Sequence, residues 1–170
     1  MQAVCAGSQG AYAALVTRYS KSISHYAYRM LGSNRDTEDI TQETFLRMWT
    51  QADRYQPGKA KLSTWLHRIA HNLCVDFLRK HANMETGDQV EVHAEAADSL
   101  ASLENSEMLD RLNKALMSLP ENQRSAITLC HLQNFSNQEA ADIMNMSVKA
   151  LESALSRARR TLRQSQGLRD

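Results

Sequence analysis

Ser136-Asn137-Gln138-Glu139-Ala140-Ala141-Asp142-Ile143-Met144-Asn145-Met146-Ser147-Val148-Lys149-Ala150-Leu151-Glu152-Ser153-Ala154-Leu155-Ser156-Arg157-Ala158-Arg159-Arg160 is the stretch that decides the architecture. Ser136 followed three residues later by Glu139 has the form of a capping box, in which the serine accepts from one orphan amide and the glutamate reaches back to another. The helix it opens is short and ends near Asn145, a residue that tolerates the left-handed backbone of a tight turn. Ser147 then caps the next helix. Helix, short turn, helix is the helix-turn-helix pattern. At about 100° per residue the last helix is two-faced. Val148, Leu151, Leu155, Ala158 and Leu162 share one side, and Lys149, Ser153, Ser156, Arg157, Arg160 and Arg163 share the other. The polar side suits a DNA major groove: short side chains let the backbone approach, arginines further along meet phosphates, and Glu152 is placed to accept from a cytosine amino group. The plainer alternative is a solvated basic face, which the capped short helix just before it disfavours.

N-terminal to this unit, periodicity predicts helices over 104–118 and 121–133, with Pro120 opening the second. An earlier body has helices predicted over 11–31, ended by Gly32, from Asp36 as N-cap to about residue 52 with Glu38 and Asp39 in its first turn, and over 63–81. The loop 53–61 is broken by Pro57-Gly58. The fold class is therefore all-α: two small helical domains, a three-helix N-terminal body over 1–82 and a four-helix C-terminal body over 104–170, joined by a connector over 83–103. No strand-like alternation of useful length and no internal repeat is present.

Charge follows the same division. The net charge is only +1 over 170 residues. Residues 1–80 carry eleven Lys/Arg against six Asp/Glu, residues 81–110 carry eight acids and no Lys/Arg, and residues 111–170 carry nine bases against five acids. Two basic bodies on an acidic connector point to polyanionic partners, although a modest positive charge alone also serves solubility. Three cysteines without a CxxC pair argue for a reducing compartment. No apolar run approaches the ~18 residues needed to span a membrane, and no secretory signal opens the chain. The expected location is the cytoplasm, without membrane insertion.

The second predicted helix carries a stripe of Asp36, Asp39, Gln42, Glu43 and Leu46, suited either to a basic helical partner or to plain solvation. Phe45 and Trp49 read as core anchors. The third has apolar Leu62, Leu66, Ile69, Leu73 and Phe77 beside a stripe of Arg68, Asn72, Asp76 and Arg79, with Trp65 next to it. These side chains suit base edges, phosphates and stacking, or else a core tryptophan and surface ion pairs. His67, His71 and Cys74 recur at i, i+4 and i+7. That spacing suits a metal, but no fourth ligand is evident, and the ordinary alternative is exposed histidines.

These segments together resemble a known family. Asp36-Thr37-Glu38-Asp39-Ile40-Thr41-Gln42-Glu43-Thr44-Phe45-Leu46-Arg47-Met48-Trp49 looks like the core-polymerase-binding segment of bacterial sigma factors. Residues 62–80 resemble the adjacent segment that melts promoters and reads the −10 element, and Leu119-Pro120-Glu121-Asn122-Gln123-Arg124 with the helix-turn-helix resembles the family's last region. The short two-body chain resembles the extracytoplasmic-function (ECF) group. The resemblance implies that Asp39, Gln42, Glu43 and Leu46 sit on the polymerase clamp helices. It implies that Lys61, Trp65, Arg68, Asn72, Asp76 and Arg79 handle the −10 element, where a base is extruded into a protein pocket. It implies that Ser147, Lys149, Glu152, Ser153, Ser156, Arg157 and Arg160 read the −35 element. The implied partners are core RNA polymerase, promoter DNA and an anti-sigma factor; no small-molecule substrate, cofactor, metal or catalytic residue is implied, so the chain is expected not to be an enzyme. The recognition helix departs from the family in Glu152 and Ala154, where Lys then Arg are frequent, and Asn145 replaces a usual turn glycine. Two other classes fit parts of the sequence: a stand-alone helix-turn-helix regulator, which leaves the first body without a role, and a metal enzyme on His67, His71 and Cys74, which lacks an acid–base constellation.

Overall fold

The structure, a computed structural model, describes residues 1–84 and 103–167. All regular structure among them is helical. A short α1 (Gln2–Cys5) precedes α2 (Gln9–Leu31), α3 (Asn34–Thr50) and α4 (Leu62–Met84), which form the first body. α5 (Leu103–Met117), α6 (Glu121–Ile127), α7 (Asn137–Ile143) and α8 (Val148–Gly167) form the second. The acidic connector expected over 83–103 lies, apart from its ends, outside the described residues.

Local sequence accounts for the boundaries. α2 stops because Gly32 takes a left-handed φ of 71° and returns its amide to the Tyr28 carbonyl. α3 begins three residues earlier than the sequence suggests. Its cap is Ser33, whose hydroxyl accepts from the Asp36 amide, so Asp36 lies within the first turn instead of capping it. Both residues are good caps, and Ser33 wins because it takes the extended backbone that the Gly32 turn leaves behind. The predicted helix over 121–133 is also two pieces: α6 widens at Thr128–Leu132 into a π-type turn. Asn134 follows with a left-handed φ of 58° and redirects the chain toward α7.

α2, α3 and α4 pack on one another around Ile23, Tyr26, Met30, Phe45, Met48 and Leu66, all buried. Tyr12 meets Trp49 edge-on at 5.2 Å, which makes Trp49 a half-buried lid on this core. α8 packs on α6 and α7 through Leu151, Ala154, Leu155 and Ala158. The two cores are not separate. Leu116, Leu119, Ala126 and Leu129 join Tyr26, Ala70 and Cys74 in one continuous apolar cluster. α5 and α6 rest on α2, and α7 rests on α4.

Candidate nucleic-acid and polymerase interfaces

The helix-turn-helix is built as its sequence foretells. The Ser136 hydroxyl accepts from the Glu139 amide at 3.1 Å, and Glu139 Oε2 accepts from the Ser136 amide at 3.0 Å. Asn145 holds the turn at φ 52°, and the Ser147 hydroxyl accepts from the Ala150 amide. On α8, Leu151, Leu155 and Ala158 are buried, and Val148 and Leu162 half-buried. Ser147, Lys149, Glu152, Ser153, Ser156, Arg157, Arg160 and Arg163 are all exposed. Ala154 is buried, so that departure from the family pattern lies on the core side of α8 and not on its polar face.

On α3, Asp39, Gln42 and Leu46 are exposed, and Leu46 keeps 53% of its surface open. Glu43 is half-buried and pairs with Arg47 at 2.8 Å one turn on.

The residues of the α4 stripe do not share one environment. Asn72, Asp76 and Arg79 are exposed, and Asp76 and Arg79 form a loose surface pair at 3.8 Å. The N-terminal half touches the second body, with Trp65 half-buried and Lys61 and Arg68 still exposed. Lys61 Nζ meets Glu139 Oε1 at 2.9 Å, raising the lysine's proton affinity and lowering that of the glutamate. Arg68 donates to the Asn145 side-chain oxygen at 3.5 Å. Trp65 leans on Tyr55 and lines a cleft of about 480 Å³ with Asn145, Met146 and Ser147.

The third face of α4 departs most from expectation. His67, His71 and Cys74 are not exposed: they keep 1%, 7% and 0% of their surface. Among the described residues no cluster of three His, Cys, Asp or Glu side chains is arranged to hold a metal. Burial, with Glu121 nearby, pushes the Cys74 thiol up to about 12, so it stays protonated at neutral pH. The histidines instead face the second body. His67 Nδ1 donates to the Ser63 carbonyl at 2.8 Å, its Nε2 lies 3.2 Å from the Ser22 hydroxyl, and Ser22 donates to Gln133 Oε1 at 2.7 Å. His71 Nδ1 lies 2.8 Å from the Tyr26 hydroxyl and 3.1 Å from that of Ser125, and the two hydroxyls are 2.9 Å apart. Arg124 completes the contact. Its guanidinium donates to the Met30 carbonyl at the end of α2 and to the Met117 and Leu119 carbonyls of its own body. Sequence reasoning names none of these cross-body partners, because no local period links residues about a hundred positions apart.

Comparison with known proteins decides what this assembly is. The family model for sigma-70 region 2 matches residues 15–84, and that for sigma-70 region 4 matches residues 109–162. The chain is 32% identical over 178 residues to the ECF RNA polymerase sigma factor SigW of Bacillus subtilis, covering 96% of this chain and 92% of that one. The chain belongs to the ECF group of RNA polymerase sigma factors. It is also 33% identical to the ECF sigma factor SigE of Mycolicibacterium smegmatis, covering 88% of this chain and 59% of that longer protein. Two solved structures share the fold of this ECF sigma factor at a TM-score of 0.76. One is CnrH in complex with the cytosolic domain of CnrY (25% identity, 99% and 96% of the two chains). The other is RpoE of Bartonella quintana in complex with the anti-sigma factor NepR (26% identity, 90% and 94%). Helical fold and family thus agree with the resemblance seen in the sequence.

Proposed function

We propose that the chain binds core RNA polymerase through α3 and directs it to promoters by reading −10 and −35 elements with α4 and α8. The observation that carries this reading is the division of α8: Val148, Leu151, Ala154, Leu155, Ala158 and Leu162 are turned inward, while Ser147, Lys149, Glu152, Ser153, Ser156, Arg157 and Arg160 are presented to solvent. Short serines near the helix start admit the backbone to the major groove, and the arginines behind them neutralise phosphates. Asp39, Gln42, Glu43 and Leu46 supply an acidic surface with one apolar anchor for the polymerase clamp helices. Lys61, Trp65, Arg68, Asn72, Asp76 and Arg79 receive the −10 strand. Extruding a base there costs a few kcal/mol, which the other contacts offset.

The working division is 1–82 for polymerase and −10 contacts, 83–103 as acidic connector and 104–170 for −35 contacts. The connector's charge suits a basic polymerase channel. Polymerase supplies the chemistry, so the chain is not an enzyme and needs no cofactor. Among the described residues no helix is long and apolar enough to cross a membrane, consistent with action in the cytoplasm. The two solved relatives are held by CnrY and by NepR, which supports control of this chain by an anti-sigma factor.

The test is to mix the purified chain with bacterial core RNA polymerase and follow size exclusion and transcription from a pool of genomic fragments. A stable complex that starts RNA at discrete sites is the expected outcome. Tight duplex binding by the chain alone, with no polymerase complex, would instead support a stand-alone regulator.

A further inference from the structure

α2 has so far served only as a core helix, yet its outer surface carries charge of one sign. Residues 1–35 contain Arg18, Lys21, Arg29 and Arg35 and no Asp or Glu. At about 100° per residue, Arg18, Ser22, His25 and Arg29 fall on one stripe of α2, with Lys21 beside it. Arg18, Lys21 and His25 are exposed, and Arg29 turns toward α5, where it donates to the Asn113 side-chain oxygen. None of the ion pairs among the described residues reaches Arg18, Lys21 or Arg29. Partial burial holds the His25 imidazole below its ordinary value, and Lys21 and Arg29 on either side add to the effect. A surface helix that is merely solvated ordinarily mixes charges of both signs; this one gathers cations and leaves them without a carboxylate.

The stripe is continuous with the start of α4. Arg18, Tyr19 and Ser22 of α2 form one wall of a cleft of about 360 Å³, and Lys61, Ser63 and His67 form the facing wall. All six belong to the first body, so the cleft between them does not depend on where the second body lies. The one carboxylate on its lining, Glu139, comes from the second body and already accepts from Lys61 and from the Ser136 amide. Cations thus run from Lys61, at the start of the face assigned to the −10 strand, across the cleft to Arg18 and along α2. An aromatic side chain, Tyr19, stands among them, half-buried beneath the Arg18 guanidinium at 5.7 Å. Basic side chains tracking a groove with an aromatic among them suit a nucleic-acid backbone. An acidic protein would match the charge equally well, but not the continuity with Lys61.

We propose that α2 is a further DNA contact, in which Arg18 and Lys21 neutralise backbone phosphates of the strand where it leaves the −10 element and His25 donates a hydrogen bond beside them; this rests on the sigma reading above. The dimensions agree. From Arg18 to His25 the helix rises about 10 Å, which is about three phosphate steps along one strand. Such a contact reads no base. It adds affinity that is equal for all promoters and sensitive to salt.

The test uses the full chain bound to bacterial core RNA polymerase, on promoter fragments recovered from the genomic pool. The wild type is read first: if it neither binds core polymerase nor starts RNA at discrete sites, the sigma reading fails and takes this proposal with it. With the wild type active, Arg18→Gln combined with Lys21→Gln should leave the polymerase complex intact and weaken promoter binding about tenfold at physiological salt. The slope of log affinity against log salt should fall by about one for each charge removed, to the same extent on every promoter. The charge-keeping pair, Arg18→Lys with Lys21→Arg, should retain the wild-type slope and guards against a folding defect in the first variant. An unchanged slope in the Gln pair overturns the α2 contact while the sigma reading stands. Loss of the polymerase complex in that pair overturns it as well, and marks the stripe as a protein-binding surface. A charge-keeping pair that loses as much as the Gln pair also rejects phosphate neutralisation.

Discussion

α4 and α8 are the two helices assigned to reading promoter elements, and the structure treats them in opposite ways. α8 buries one face against its own body and leaves the whole polar face free. α4 is sandwiched: one side packs on α2 and α3, another buries His67, His71 and Cys74 toward the second body, and the start of its reading face touches the turn at Asn145 through Arg68, which stays exposed. The difference teaches that a reading face is not defined by its residue types alone. Similar chemistry, polar and basic side chains at helical spacing, is left unengaged on one helix, while at the start of the other Lys61 and Arg68 are paired with Glu139 and Asn145 of the second body.

The strongest way to break this contrast is Arg124→Met. Three backbone carbonyls lose their donor, one of them the Met30 carbonyl across the seam. The expected loss is about 2–3 kcal/mol in chemical denaturation, with faster hydrogen exchange in α4; an unchanged denaturation midpoint would deny Arg124 its role. Gly32→Ala attacks the same seam from α2. The left-handed φ of 71° strains any other residue, and an added Cβ would lie 3.3 Å from the Met117 side chain of α5. A loss of about 1 kcal/mol is expected by thermal unfolding, and a stabilised variant would show that the turn relaxes freely.

Two substitutions sharpen the contrast on the DNA side. Asn72→Ala, on the uncovered part of α4, should impair promoter opening more than polymerase binding, read by permanganate footprinting against complex formation. Equal loss of both would remove its −10 role. Arg160→Ala on α8 should weaken −35 binding only a few-fold, evenly across sequences, and lower the salt slope by about one. Loss confined to one base position would mark it as a base contact. The smallest effect belongs to Lys61→Gln. Its side of the pair with Glu139 is exposed, so stability in chemical denaturation should fall slightly at low salt and not at all at high salt. A change that persists in high salt would show that the pair is more than a surface contact.

Much of α8 and its approach is legible in the sequence because the deciding forces are local. The capping box at Ser136, the left-handed Asn145 and the alternation of Leu155 with Arg157 are each set within a turn or two of chain. The start of α3 is ambiguous in sequence because Ser33 and Asp36 are both good caps, and only the backbone leaving Gly32 chooses between them. The environment of His67, His71 and Cys74 is not legible at all. The histidines' distant neighbours are Ser125 on His71 and Phe135 on His67, far along the chain, and a helical period states which residues share a face without stating what lies on it. The family is legible from three ordered segments; the seam between the bodies is not, because its partners obey no spacing.

Glu139 divides its carboxylate between a local and a distant partner. One of its carboxylate oxygens holds the Ser136 amide, and the other holds Lys61. Separation of the bodies takes away only the second bond. The first, with the turn and helix that depend on it, stays as it was. The capping box is therefore independent of the contact with Lys61, and the turn it anchors is fixed from within its own segment of chain.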